Sequence, residues 1–289
     1  MALISVVMCS YNAERYIRET IDSVLNQTFT DFEFIIWNDG STDSTISIIE
    51  GYSDPRIKLF TDINRGEGMA AQLACRHASG KYIARIDSDD IWLPEKLSLQ
   101  YNYMESHPNV VLLSCPVILI DKDSQELGMT FPITKTSYLN KSIEKRNLFP
   151  HSGSIYKKEI YNEVGGYDNV RFFQDRLLFW KMSSFGDFAL WPYPLIKYRM
   201  IGGSVAHRIE KSKYKKALFA MKDIIYYEKG TNPKDIEIYN SIYDLIEKKN
   251  DIFVYRDDYQ NIIYKILSKF IGKNYSYKLV VAIKNLTAL

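Results

Sequence analysis

Cysteine is scarce in this chain, charge is nearly balanced, and no apolar run is long enough to cross a bilayer. Only Cys9, Cys75 and Cys115 occur among 289 residues. No metal-ligand spacing links them, Cys9 and Cys75 fall in elements expected to face the core, and a reduced cytosolic compartment is the simplest home. The formal net charge of +2 is too small to argue for nucleic acid. The longest apolar run, Val110 to Ile120, is too short to span a membrane and contains Pro116. No basic leader precedes the first expected strand, so no signal peptide is expected. A glycine-rich, basic phosphate loop of the P-loop kind is also missing near the N-terminus. What is present is a chain with 46% apolar residues, enough for one large domain or a domain with an appendage.

The most informative stretch is Lys81-Tyr82-Ile83-Ala84-Arg85-Ile86-Asp87-Ser88-Asp89-Asp90. Tyr82 to Ile86 reads as a buried strand, and it ends in three carboxylates within four positions. Like charges so close repel, and a structural turn needs only one Asp or Asn. A divalent cation shared with a phosphate-bearing ligand makes the arrangement favourable. The carboxyl end of a strand is also where open α/β sheets bind ligands. The competing reading, Asp90 as cap of a helix beginning near Pro94, accounts for one acid and leaves two unexplained.

The first half repeats strand, loop and helix. Leu3 to Cys9 reads as a strand, followed by Ser10-Tyr11-Asn12 and a helix from about Ala13 to Asn26. Its Tyr16, Ile17, Thr20, Ile21, Val24 and Leu25 share one face. Phe32 to Trp37 is a second strand that breaks into Asn38-Asp39-Gly40-Ser41-Thr42-Asp43, and a helix to about Tyr52 points Ile46, Ile49 and Ile48 inward. Ile57 to Phe60, the loop Asn64-Arg65-Gly66-Glu67-Gly68 and a helix from Met69 to Ala78 complete the pattern. Such alternation predicts a mainly parallel sheet built from right-handed crossovers. Its strand-end loops would gather Ser10, Tyr11, Asp39, Arg65, Asp87 and Asp89 on one rim suited to a nucleotide.

Farther on, a helix is expected between about Pro94 and His107, with Leu97, Tyr101 and Met104 on one face. Val110 to Leu113 and Val117 to Asp121 read as strands, with a hairpin turn at Asp123 to Glu126, so the sheet is expected to become mixed. His151 stands before another strand, and a helix from about Lys158 to Val164 ends at Gly165-Gly166. A lone His there is an ordinary structural feature or a contact to diphosphate or acceptor. In Phe172-Phe173-Gln174-Asp175-Arg176-Leu177-Leu178-Phe179-Trp180, Asp175 is an acid in apolar surroundings, which requires a task or a partner. Its structural alternative is a helix N-cap partnered by Arg176 or Arg171.

Three stretches, Val6-Val7-Met8-Cys9-Ser10-Tyr11-Asn12, Asn38-Asp39-Gly40-Ser41-Thr42-Asp43 and Ala84-Arg85-Ile86-Asp87-Ser88-Asp89-Asp90, resemble those of the family-2 glycosyltransferases. The likeness spans about residues 3 to 205. It implies a GT-A fold, a Rossmann-like mixed α/β sheet flanked by helices. By that resemblance Tyr11, beside Ser10, stacks on the base of a nucleotide sugar, most often UDP, and Asp39 accepts from the base. Arg65 lies near base or ribose, Asp87 with Ser88 meets the ribose, and Asp89 holds the Mn2+ or Mg2+ bridging the diphosphate. Asp175 matches the family's general base, which an inverting transfer needs opposite the leaving group. Three departures stand out: Cys9 where the family usually has Pro, Gln174 where it has Glu, and Ile201 where many relatives have a His. His207 is the candidate replacement, through a loop hinged at Gly202-Gly203, and Arg199 or Arg208 are candidate phosphate contacts.

The expected organisation is a catalytic domain over 1–209, with a nucleotide-binding half (1–110) and an acceptor half (111–209), and a helical extension over 210–289. Helices expected at Tyr214 to Tyr227, Asp235 to Lys248 and Tyr259 to Ile271 carry apolar stripes flanked by lysines. They suit a membrane surface, giving a cytoplasmic enzyme peripheral to the inner face of the plasma membrane, or else packing on the domain or a second subunit. The implied activity is a metal-dependent, inverting hexosyl- or N-acetylhexosaminyl-transfer from a nucleotide sugar. The implied acceptor is a saccharide or lipid-linked saccharide of surface polysaccharide synthesis. A sugar-phosphate nucleotidyltransferase and a non-catalytic nucleotide-sugar binder are the two rival readings.

Overall fold

Alternate residues of the first strand go to opposite faces of one central sheet, and both faces are covered. The computed structural model describes residues 2–130, 139, 143, 148–168 and 173–200. Strand β1 (Ile4–Ser10) sends Val6 and Met8 to one core and Val7 to the other, which is why its sequence is apolar without alternation. Helix α1 (Ile17–Leu25) covers the first face with Ile17, Ile21 and Val24. Strand β2 (Phe32–Asp39) runs beside β1, followed by α2 (Thr45–Glu50) and β3 (Ile57–Asp62). In α2 Ile49 is buried, whereas Ile46 and Ile48 are half-buried. Helix α3 (Glu67–Arg76) begins two residues earlier than the sequence pattern suggests, and its Ala70, Ala71 and Ala74 pack on the second face. Strand β4 (Tyr82–Asp87) then returns beside β1. Each fully buried aliphatic side chain in this core contributes roughly 1.5–3 kcal/mol.

The remaining elements are β5 (Ile91–Trp92), α4 (Lys96–Ser106), β6 (Val110–Ser114), β7 (Val117–Ile120) and β8 (Glu126–Met129). They are followed by a 3-10 turn (His151–Gly153), β9 (Ile155–Lys157), α5 (Lys158–Glu163), α6 (Gln174–Met182), β10 (Asp187–Leu190) and β11 (Ile196–Arg199). The seven-stranded sheet has the order β10-β6-β9-β4-β1-β2-β3. Its pairs are parallel except those of β9, which runs antiparallel to both β4 and β6, so the sheet is mixed as expected. The turn at Asp123 to Glu126 joins the antiparallel pair β7 and β8. That hairpin belongs to a separate four-stranded sheet, β5-β11-β7-β8, so the neighbouring β6 and β7 part company. No helix among the described residues is long and apolar enough to cross a membrane. The expected helices after residue 210, together with Ile201, His207, Arg208 and Arg171, lie outside the described residues.

One buried acid ties the sheet together. Glu33 on β2 accepts from the Ser5 hydroxyl at 2.6 Å, from the Ser79 amide at 2.6 Å and from Lys58 Nζ at 2.6 Å. Burial alone would raise its pKa, but these donors outweigh that and lower it to about 2. The stability it contributes is therefore present above the ordinary Glu range and lost as pH falls toward 2. Glu33→Gln is expected to cost about 1–3 kcal/mol at pH 7 in denaturant melts, with the gap to the unaltered chain closing on acidification below about 4.

Candidate functional site

The parallel register aligns the carboxyl ends of four strands. Ser10 pairs with Asn38, Asp39 with Asp62, and Cys9 with Asp87, so the loops after β1, β2, β3 and β4 form one rim. Tyr11 stands on this rim with half its surface exposed (51%), an uncommon position for a large aromatic ring. Asn12, at φ 48, locks its loop to the next one, because its side chain accepts from the Thr42 amide at 2.8 Å. Gly40, at φ 74, is required: a Cβ there would come within 2.7 Å of the Asn64 amide nitrogen. Asp39 is buried and accepts from the backbone amides of Arg65 (3.0 Å) and Gly66 (2.9 Å), fixing the β3–α3 loop and leaving lone pairs on each oxygen. The Arg65 guanidinium pairs at 2.6 Å with Asp62.

Beyond β4 the acids crowd together. Asp90 is no helix cap. It is buried, accepts from the Arg199 amide at 2.8 Å, and its Oδ2 has no hydrogen-bond partner. The residue preceding α4 is Glu95, which makes no side-chain cap. Burial and then the Asp87 charge push Asp89 up to about 6. Asp87 itself is raised by burial against the pull of Arg85. Asp175 lies in the first turn of α6, and Phe173, at φ 63, takes the N-cap position that the structural alternative gave to Asp175. Burial, with a contribution from Asp87, raises the Asp175 pKa as well. Tyr198 on β11 faces the same acids: burial and then Asp90, Asp87, Asp89 and Asp175 hold its hydroxyl protonated. Together these groups have a charge deficit that a bound cation would relieve.

Two residues turn away from this cluster or stand beneath it. Arg199 is placed otherwise than as a phosphate contact. Its buried guanidinium donates to Glu19 Oε2 at 2.6 Å, the Asp89 carbonyl at 2.8 Å, the Asp121 carbonyl at 3.1 Å and Ser124 Oγ at 2.9 Å. It also lies over the Tyr16 ring at 4.3 Å, so it braces α1 and the β7–β8 hairpin against the acidic turn. Arg199→Met would leave the Asp89 carbonyl without its donor and Glu19 without its ion pair, and is expected to cost about 2–3 kcal/mol in a denaturant melt. A Met variant as stable as the original would contradict the bracing role. His151 is buried in the 3-10 turn, and its Nε2 is 3.2 Å from Arg85 Nε and 2.6 Å from the Tyr167 hydroxyl. Burial and Arg85 hold it well below the usual histidine range, so the ring is neutral. Its Nδ1 lies 3.9 Å from Asp87.

Glu67 joins this group from the start of α3. Burial and then Asp87 push it up to about 8, and the Gln174 side chain hydrogen-bonds it. Glu67, Asp87 and His151 bring three ligand-type atoms within 4.8 Å of one another.

Residues 5–165 match the model of the family described as "Glycosyl transferase family 2", more than half of the chain. The chain belongs to glycosyl transferase family 2. A glycosyltransferase of Haemophilus influenzae is 31% identical over 253 residues, covering 83% of this chain and 78% of that protein. WfgD of Escherichia coli, a UDP-Glc:alpha-D-GlcNAc-diphosphoundecaprenol beta-1,3-glucosyltransferase, is 44% identical over 103 residues, 35% of this chain and 41% of that one. Among solved structures, S. aureus TarS 1-349 in complex with UDP-GlcNAc has a TM-score of 0.66 at 16% identity, covering 99% of this chain and 92% of the other. That likeness establishes the GT-A fold and nothing finer.

In this glycosyltransferase the strand-end loops carrying Ser10, Tyr11, Asp39, Arg65, Asp87 and Asp89 lie along one rim, with the Arg65 guanidinium turned to Asp62 and with Asp175 close enough for its charge and that of Asp87 to interact. Glu67, Arg85, Tyr167 and Tyr198 escaped the sequence reading. Glu67 falls in what the sequence pattern reads as a polar loop, where a single acid is an ordinary solvated charge, so it gave no signal. Its pairing with Gln174 also supplies a reason for the amide: a Glu at 174 would set a second carboxylate against Glu67.

Proposed function

We propose that this family-2 glycosyltransferase moves a hexosyl or N-acetylhexosaminyl group from a UDP-sugar to a hydroxyl of a saccharide or lipid-linked saccharide. The transfer inverts the anomeric centre and needs Mn2+ or Mg2+. The observation that carries the reading is the gathering of Asp87, Asp89 and Asp175 at one rim, each with its pKa raised by burial. The UDP-GlcNAc bound by TarS and the UDP-Glc used by WfgD support the uridine donor, and the diphosphoundecaprenol acceptor of WfgD supports the lipid-linked acceptor.

The donor set fits a divalent cation. Asp89 is half-buried, and the Arg199 guanidinium contacts its backbone carbonyl at 2.8 Å. Asp89 would hold the ion, whose chemistry when bound is to neutralise charge on the leaving diphosphate. Tyr11 offers a ring face for the base, and Asp39 keeps lone pairs for a base N–H. Asp87 and Ser88 orient the ribose. Asp175 accepts the proton of the attacking hydroxyl as that oxygen bonds to the anomeric carbon, and its raised pKa makes it a stronger base than a solvated Asp.

Asp175 sits within the catalytic unit we assign to 1–209. The extension at 210–289 is the proposed membrane-surface element, on its sequence pattern alone. Liposome flotation of the chain with and without residues 210–289 tests it: equal flotation rules the tail out as anchor. The activity is tested by UDP release from a panel of UDP-sugars with saccharide acceptors, with and without Mn2+. Transfer only with the metal is expected. Release of pyrophosphate from a sugar phosphate and UTP would instead favour a nucleotidyltransferase.

A further inference from the structure

We propose that Lys96 is a positioning residue for the donor site: from helix α4 it fixes, through Gln100, the turn His151–Gly153, whose Ser152 holds the acidic turn at Asp87 and Asp90. The inference rests on the nucleotide-sugar reading above and goes beyond it, to what keeps those acids in place.

Lys96 opens α4 and is fully buried, yet it pairs with no carboxylate among the described residues. Its Nζ meets two groups, Gln100 Oε1 at 2.7 Å and the face of the Trp92 ring at 3.9 Å. Burial brings its pKa down to about 7, against a pull from Cys115. A buried ammonium without a counter-ion weakens the fold, and a Met would fill much the same space without that cost. Such a group calls for a task.

The task follows from which atoms can donate. An ammonium only donates, so the oxygen of the Gln100 amide must face it, and the NH2 group is thereby turned the other way. Gln100 Nε2 donates to the Gly153 carbonyl at 2.9 Å. Turned over, the amide would set its oxygen against that carbonyl, and Lys96 forbids this. The preceding carbonyl is held as well, since Trp92 Nε1 donates to that of Ser152 at 2.9 Å. Two successive carbonyls of the turn are therefore anchored to side chains that both meet the Lys96 ammonium. The turn has little room to shift: a Cβ on Gly153 would come within 3.0 Å of Cys115 Sγ. Ser152 then reaches the acids. Its Oγ accepts from the Asp87 amide at 3.1 Å, which leaves its one proton for the hydrogen bond to the Asp90 side chain.

Three variants of the full chain test the proposal: Lys96→Met, Gln100→Leu and the two together. Proton exchange at the Asp87 amide, followed by 15N NMR, is expected to quicken about tenfold in each, while the Ile35 amide in mid-sheet does not quicken in Lys96→Met. In calorimetry with Mn2+, UDP is expected to bind about tenfold more weakly to Lys96→Met. The double variant should bind it no more weakly than Gln100→Leu, because one residue acts through the other. Stability separates positioning from mere support. Lys96→Met is expected to melt no lower than the original at about pH 6, because a buried charge has gone. Its advantage should shrink as pH rises from about 7 toward 10, where the original sheds that charge within the fold. An unchanged Asp87 rate, unchanged UDP affinity in Lys96→Met, additive losses in the double variant, or a lower melting temperature for Lys96→Met overturns the proposal. Should the unaltered chain bind no UDP, the donor reading has failed, and the exchange rate at Asp87 still decides whether Lys96 holds the acidic turn.

Discussion

Asp175→Asn is expected to lower kcat by about 10²–10⁴-fold while UDP affinity stays within about threefold. The substitution is isosteric and sits in the first turn of α6, where the backbone is already held by the Phe173 N-cap, so the site keeps its shape. Only the proton acceptor is lost. Because burial raises the Asp175 pKa, the base loses its activity as pH falls through a value above the ordinary Asp range. The acid limb of the pH–rate profile should lie there, and in the variant the remaining rate should lack it. Turnover within a few-fold of the original would remove Asp175 from the mechanism and leave Glu67, its neighbour, as the acid to examine.

Asp89→Asn is expected to have two opposite effects. With Mn2+ present, UDP affinity should fall about 30- to 1,000-fold, to the level the unaltered chain shows in chelator, since a charged ligand to the ion is gone. Stability should move the other way. A carboxylate whose pKa is pushed up to about 6 by burial and by Asp87 binds its proton more tightly folded than unfolded. Its contribution therefore turns unfavourable as pH rises from about 4 through 6. The neutral Asn is expected to melt at higher temperature at pH 7, by an amount worth roughly 1–3 kcal/mol, and the gain should vanish below about pH 4. Loss of both affinity and stability at pH 7 would mean that Asp89 is held by protein contacts and not by a cation.

Much of this was legible in the sequence for one reason: in a parallel sheet, the place where each apolar run stops is also the place where the loops meet. The ends of β1, β2 and β4 are written directly as Ser10-Tyr11, Asn38-Asp39 and Asp87-Ser88-Asp89, and the register brings them together. The floor of the site was not legible. Arg85 reads as an anomalous charge within an apolar strand, and only the fold sets it against His151, 66 residues away. Arg199 reads as a candidate phosphate contact because it stands two residues before Ile201, where many relatives have a His. Its actual partner, Glu19, is 180 residues distant on α1, and nothing local marks that pair. The pairing of β7 with β11 rather than with its sequence neighbour β6 was hidden likewise, because strand order depends on packing that apolar periodicity does not encode.

The most direct measurement is calorimetric titration of the full chain with UDP, first with Mn2+ and then after exhaustive chelation. Binding with the metal that falls by at least about tenfold without it is the result expected of carboxylates arranged to hold an ion against a diphosphate. Identical affinity in both conditions would contradict that arrangement and, with it, the role assigned to Asp89.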